Sequence, residues 1–159
     1  MKKAFLPIAD ANSHTLILGT MPGEKSLELQ QYYGNRANQF WRLVYAVFNE
    51  PMPETYEEKI AFLKQKGIAL WDVLSHCERV GSLDSNIKNE VPNDFEAFFK
   101  THPNIKRVFF SSKNAEKYYS RYAEKHEGVV YSALPSPSGA HATMRFEEKL
   151  LIWKNILNE

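Results

Sequence analysis

Four short apolar runs, at residues 15–18, 68–73, 107–111 and 129–134, alternate along the chain with longer amphipathic stretches, and this alternation restricts the fold more than any other feature. Continuous apolar runs of this length are the pattern of strands covered on both faces. The stretches between them carry helical spacing. Residues 38–48 place Phe40, Trp41, Val44 and Phe48 on one side, and residues 56–66 do the same with Ile60, Phe62 and Leu63 ahead of Gly67, a residue suited to ending a helix. Residues 92–100 combine Asp94 in an acidic first turn with the aromatic face of Phe95, Phe98 and Phe99. Helical patterns at 114–126 and 146–157 complete the series, and residues 81–89, rich in Gly, Ser, Asp and Asn, read as a loop. Strands alternating with helices predict an α/β fold: a three-layer α/β/α sandwich around a central four-stranded parallel sheet.

With 159 residues, 43% of them hydrophobic and 25% charged, the chain is expected to form one domain over residues 1–159 with a substantial core. The lone Cys77 cannot form an internal disulfide and suits a reducing compartment. A basic start, Met1-Lys2-Lys3-Ala4-Phe5-Leu6, is followed by Pro7, Asp10, Asn12 and His14, which interrupt the apolar run an export signal needs. No stretch approaches the ~18 apolar residues of a membrane span. These features predict a cytoplasmic protein that does not associate with membranes. The net charge of +1 neither advertises nor excludes a nucleic-acid partner, because a local basic rim can be balanced by acidic helices elsewhere.

Ligands of parallel sheets bind beyond the carboxyl ends of the strands, so the residues following each apolar run matter most. The first run leads into Gly19-Thr20-Met21-Pro22-Gly23, where glycines let the backbone approach a ligand. It lacks the Gly-Lys-Ser/Thr of a phosphate loop and the glycine spacing of a dinucleotide site. The segment from Gln30 through Tyr32-Tyr33-Gly34-Asn35-Arg36-Ala37-Asn38-Gln39 to Phe40-Trp41 concentrates amides and aromatics just where a helix begins. Tyrosines can stack on a planar base, and amides can hold water or read hydrogen-bonding edges. Asn38 also suits the N-cap of the following helix, and the two roles are compatible. The last run enters Leu134-Pro135-Ser136-Pro137-Ser138-Gly139-Ala140-His141-Ala142, either a rigid turn or a proline-stiffened loop whose backbone N–H groups and hydroxyls are open to an anion.

These three blocks together, in this order, resemble the uracil-DNA glycosylase superfamily, and within it the hypoxanthine-DNA (deoxyinosine) glycosylase branch. Trp71-Asp72-Val73-Leu74, Cys77-Glu78-Arg79 and Gly81-Ser82-Leu83-Asp84 look like the same branch, so the resemblance spans nearly the whole chain. It implies a monofunctional DNA glycosylase that flips a deaminated base, hypoxanthine above all, out of the duplex and hydrolyses its N-glycosidic bond with activated water. It also implies a role for each matched position. The turn Met21, Pro22 and Gly23 forms the wall of the base pocket. Met21 stands where several branches carry a polar, water-positioning residue, a departure that moves catalysis to Asn38. Tyr33 occupies the place of the ring stacked on the base, or else packs in the core beside Tyr32. Asp72 stands where uracil-specific relatives place a base-reading asparagine, or else caps the following turn. In the DNA-binding loop Ser136 stands where other branches carry a histidine or asparagine, Ser138 and Gly139 would grip DNA phosphates, and Ala140 and His141 would probe the duplex where the base has left, although His141 also fits a solvated surface position.

No cofactor is implied: no cluster has metal-ligand spacing, and a single cysteine excludes the iron–sulfur site of some relatives. The expected partner is DNA containing a deaminated base, and the expected state a monomer. Three other readings remain open: a glycosylase acting mainly on uracil or mismatched thymine, a damaged-DNA-binding module without chemistry, and an unrelated nucleotide-binding protein.

Overall fold

The computed structural model describes residues 1–140 and 143–157. At its centre lies β2 (Thr15–Gly19), every residue of which is buried; β1 (Lys2–Lys3) belongs to a separate sheet. On one side β2 pairs in parallel with β3 (Ile68–Asp72), and on the other with β6 (Arg107–Phe110), which in turn pairs with β7 (Val130–Ala133). The order is therefore β3-β2-β6-β7, the four-stranded parallel sheet that the apolar runs predict.

Side-chain alternation along β2 explains the layers. Leu16 and Leu18 point to one face, where α4 (Phe95–Thr101) and α5 (Lys113–Tyr122) supply Phe95, Phe98, Tyr118 and Tyr119. Ile17 points to the other, against α2 (Phe40–Val47), α3 (Tyr56–Gln65) and α6 (Phe146–Trp153), which contribute Phe40, Val44, Leu63 and Trp153. Each of these aliphatic strand residues has no exposed surface, so each contributes about 1.5–3 kcal/mol of burial.

Several local expectations are corrected. The last strand, β7, is an edge strand, with Val130, Ser132 and Ala133 exposed, because β6 is its only neighbour. Residues 81–89 are not wholly loop. A short 3-10 turn (Asp84–Asn86) leads into β5 (Lys88–Pro92), which pairs antiparallel with β4 (Leu74–Glu78) in a second sheet of order β1-β4-β5. Pro92 closes that strand, and α4 begins at Phe95 behind Asp94, whose side chain accepts from the Ala97 N–H at 3.0 Å. A six-residue helix, α1 (Glu24–Leu29), follows the glycine turn, a helix the apolar spacing does not announce. At the other end α6 stops at Trp153 and tightens into a 3-10 turn (Lys154–Leu157). Among the described residues no helix is long and apolar enough to cross a membrane.

Parallel register sets up the site. Gly19 pairs with Asp72, while the N–H of Ser111 reaches the Leu18 carbonyl at 2.8 Å and that of Leu134 reaches the Phe110 carbonyl at 2.7 Å. Gly19, Asp72, Ser111 and Leu134 thus finish their strands along one edge.

Candidate active site

A cavity of about 1080 Å³ opens at that carboxyl edge. The turn after β2, the segment from Tyr32 to Asn38, Asp72, the Ser82–Asp84 loop and the Leu134–Ala140 loop all line it. Met21, Pro22, Gly23, Tyr33, Asn38, Asp72, Ser136, Ser138, Gly139 and Ala140 are thereby brought together, as the sequence motifs suggest. His141 lies outside the described residues.

Crowding defines the floor. A Cβ on Gly19 would lie 2.7 Å from Asp72 Oδ1 and 3.0 Å from the Tyr33 hydroxyl, so only glycine lets those two groups close over the strand end. The Tyr33 ring stacks on Phe40, with centroids 4.0 Å apart and planes within 8°. One face of Tyr33 therefore packs on the core while the residue still lines the cavity. Its φ of 53° is a left-handed conformation that costs a bulky residue of order 1–3 kcal/mol, strain that tends to persist at functional sites. The Ser111 hydroxyl donates to the Leu18 carbonyl at 3.1 Å, so the Tyr33 hydroxyl, 3.1 Å away, donates to Ser111. Burial first, and the nearby Asp72 charge second, push the Tyr33 hydroxyl up from its ordinary value, and it stays neutral.

Asp72 is 5% exposed, and among the described residues its Oδ2 has no hydrogen-bond partner. It does not cap the turn after β3, since the Val73 and Leu74 N–H groups go to the Gly19 and Thr20 carbonyls at 2.8 and 3.2 Å. Burial, then the charge of Asp84, raise its carboxyl to about 7 against the opposing pull of Arg79. Burial also raises Asp84, partly countered by Asn114, whose amide donates to it at 3.3 Å.

Asn38 sits where the approach to α2 bends into the helix. Its Oδ1 accepts from the Phe40 N–H at 2.8 Å in an Asx turn one residue ahead of the N-cap Gln39, so the N-cap expectation is off by one position, and the residue lines the cavity as well. One Oδ1 lone pair is used in this way, and an amide oxygen offers two. Next to it, the Gln39 N–H donates to the Pro137 carbonyl at 2.7 Å, which binds this segment to the C-terminal loop. Gly139 presses on the same segment, where an added Cβ would approach the Ala37 carbonyl oxygen to 2.6 Å. Within the loop, the Ser136 hydroxyl accepts from the Ser138 N–H at 3.1 Å and the Ser138 hydroxyl from the Ala140 N–H at 3.2 Å. Two backbone donors are thus satisfied internally, and the hydroxyl protons are what these serines can offer an anion.

Two buried cations that sequence reasoning gave no role hold these walls together. Lys149, in α6, is 1% exposed and donates to Gln39 Oε1 at 2.8 Å and to the Ser138 carbonyl at 3.4 Å. In the sequence it follows Glu147-Glu148 and looks like any solvated helix lysine. Arg79 has a fully buried side chain that donates to the Pro22 carbonyl and to the Gly81 carbonyl at 3.0 Å, with Nη1 3.6 Å from Asp84 Oδ1. It ties the turn at residues 19–23 to the loop at 81–84. The Cys77-Glu78-Arg79 block marks the place of Arg79, but nothing local marks its burial. Among the described residues no group of His, Cys, Asp and Glu could hold a metal ion.

The cavity thus brings together an aromatic ring, a buried carboxyl, a side-chain amide and a serine-rich rim. A family model described as the uracil DNA glycosylase superfamily matches residues 6–157. A hypoxanthine DNA glycosylase from Methanosarcina acetivorans is 38% identical over 149 residues, which cover 93% of this chain and 92% of that protein. Its namesake from Methanosarcina barkeri is 38% identical over 118 residues, covering 74% and 75%. A solution NMR structure of a candidate uracil DNA glycosylase from Methanosarcina acetivorans superposes with a TM-score of 0.84 at 34% identity, over 99% of each chain.

Proposed function

The chain belongs to the uracil DNA glycosylase superfamily, and on that premise we propose that it removes hypoxanthine from DNA by base extrusion and hydrolysis of the N-glycosidic bond. The observation that carries this reading is the cavity joining Asn38, Tyr33 and Asp72, in a chain 38% identical to a hypoxanthine DNA glycosylase. Extrusion costs a few kcal/mol and is cheapest for a mispaired base, which favours deaminated adenine over normal pairs. Tyr33 stacks on the extruded base and Asp72 meets its polar edge. As the bond breaks, the sugar becomes oxocarbenium-like and the base anionic. Backbone N–H groups of Met21 and Gly23 stabilise the base, and the DNA phosphates stabilise the sugar. Asn38, fixed by its Asx-turn bond from the Phe40 N–H, orients the attacking water with its remaining lone pair, a positioning role rather than that of a true base. Ser136, Ser138 and Gly139 hold the flanking phosphates, with Ala140 and His141 at the vacated duplex position. Lys149 is a strut rather than a nucleophile, because its ammonium is buried on two acceptors.

Release of free base from duplexes containing inosine, uracil or xanthine, measured side by side, tests the reading. Hypoxanthine should be released fastest. Faster uracil release would reassign the substrate, and binding without release would make the protein a damage-recognition module.

A further inference from the structure

We propose that Asp72 meets the extruded base as a neutral carboxylic acid, its O–H donating to the base carbonyl while its C=O accepts from the adjoining ring N–H. This rests on the glycosylase reading above and specifies how that site recognises its base.

Hydrogen-bond supply around the carboxyl is the first argument. An ionised carboxylate buried in protein is stabilised by donors aimed at both oxygens. Among the described residues Oδ2 of Asp72 has none, although the residue is 5% exposed. Several neighbouring donors are committed elsewhere, and Arg79 Nη1, which has no hydrogen-bond partner among the described residues, lies 3.6 Å from Asp84 Oδ1. The Tyr33 hydroxyl donates to Ser111, and Ser111 to the Leu18 carbonyl. Val73 and Leu74 N–H groups serve Gly19 and Thr20, and the Asn93 amide donates to the backbone carbonyl of Asp72 at 2.8 Å rather than to its carboxyl.

Charge supplies the second argument. The groups facing Asp72 are Tyr32 and Tyr33 from the segment before α2, and Arg79 and Asp84 from the loop after β4. Both tyrosines are raised by burial and stay neutral. Arg79 is the one cation among these four, but it lies 3.6 Å from Asp84 and donates to the Pro22 and Gly81 carbonyls. Asp84, lining the same cavity, opposes a second negative charge. The resulting elevation of the Asp72 carboxyl to about 7 agrees with the geometry.

The chemistry of the base supplies the third. Hypoxanthine presents a ring N–H beside a carbonyl. A carboxylate can only accept, so it satisfies the N–H and repels the carbonyl oxygen. A neutral acid donates and accepts at once and forms two parallel hydrogen bonds, as an asparagine amide does. Asp72 can therefore do the work of an amide, but only while it keeps its proton.

Single-turnover hypoxanthine release from an inosine duplex, followed from about pH 6 to 9 in wild type, Asp72→Asn and Asp72→Ala, tests this. The ratio of wild-type to Asp72→Asn rates cancels pH effects common to both proteins. It should fall roughly tenfold per unit above the Asp72 midpoint near 7, while Asp72→Ala is slow throughout. A ratio that stays flat, or rises with pH, overturns the proposal while leaving the glycosylase reading intact. Absence of hypoxanthine release by wild type at every pH overturns both. A 13C NMR titration of the wild-type Asp72 carboxyl needs no variant: a midpoint near 7 supports the neutral acid, and one near 4 overturns it.

Discussion

Replacing Asp72 with asparagine should change how stability depends on pH. The carboxyl is 5% exposed and moves from an ordinary 3.8 to about 7 on folding, with burial the leading cause. Between those values the unfolded chain has lost the proton and the folded chain keeps it. The side chain's contribution is therefore whole below about pH 4 and is lost as pH rises through about 7. A shift of about 3 units at ~1.4 kcal/mol per unit gives a total loss of roughly 4 kcal/mol. Of this, roughly 3 kcal/mol falls between about pH 5 and pH 8. Asparagine fills the same space and has no proton to lose. The other titrating groups are common to both proteins and cancel in the comparison. Urea or thermal unfolding of the two proteins at both pH values measures the effect. At about 2–4 °C per kcal/mol for a chain of this size, wild type should lose roughly 6–12 °C in Tm against the variant across that interval. Stability curves that run parallel within about 0.5 kcal/mol would refute the reasoning. A variant that loses ground as pH rises would do so more strongly, because it would mean the fold favours the ionised carboxylate.

Two further substitutions probe the pocket walls. Tyr33→Leu removes the ring that the proposed function stacks on the base, and should weaken binding of inosine-containing DNA by about 1–3 kcal/mol, or roughly 5- to 150-fold. Tyr33→Phe, which loses only the hydrogen bond to Ser111, should cost about 1 kcal/mol; equal losses in the two variants would assign the effect to the hydroxyl instead. Gly139→Ala drives a Cβ to 2.6 Å from the Ala37 carbonyl oxygen, one residue from Asn38, so the release rate should drop tenfold or more while Tm changes by only a few degrees. An unchanged rate would show that the C-terminal loop does not position the segment around Asn38.

The central sheet was legible because β2, β3 and β6 are runs of aliphatic and aromatic residues with helical patterns between them, the pattern of a parallel sheet covered on both faces. The second sheet was not, because its strands read Lys2–Lys3, Leu74-Ser75-His76-Cys77-Glu78 and Lys88-Asn89-Glu90-Val91-Pro92, with no clean apolar alternation. These strands form only because the chain folds back on itself there, and antiparallel pairing with irregular register holds them. The exposure of β7 likewise depends on its place at the sheet edge, which composition does not encode.

For the site, the motif blocks located the cavity-lining residues, whereas the cap reading of Asn38 misses by one position, because Gln39 starts the helix and Asn38 turns the chain just before it. What stayed hidden was the support behind them. Lys149 and Arg79 look like surface cations until the fold buries them. The raised carboxyl of Asp72 comes first from its burial by the fold and second from Asp84, twelve positions downstream in a 3-10 turn. Contacts made only by tertiary packing leave no periodic trace in the sequence.

The most direct test of the central claim is hypoxanthine release from an inosine duplex under single-turnover conditions, comparing wild type with Asn38→Ala. A residue that positions the attacking water should contribute on the order of 10²–10⁴-fold. The account predicts a loss of that size with DNA binding largely kept. Full-rate release by the variant would contradict it.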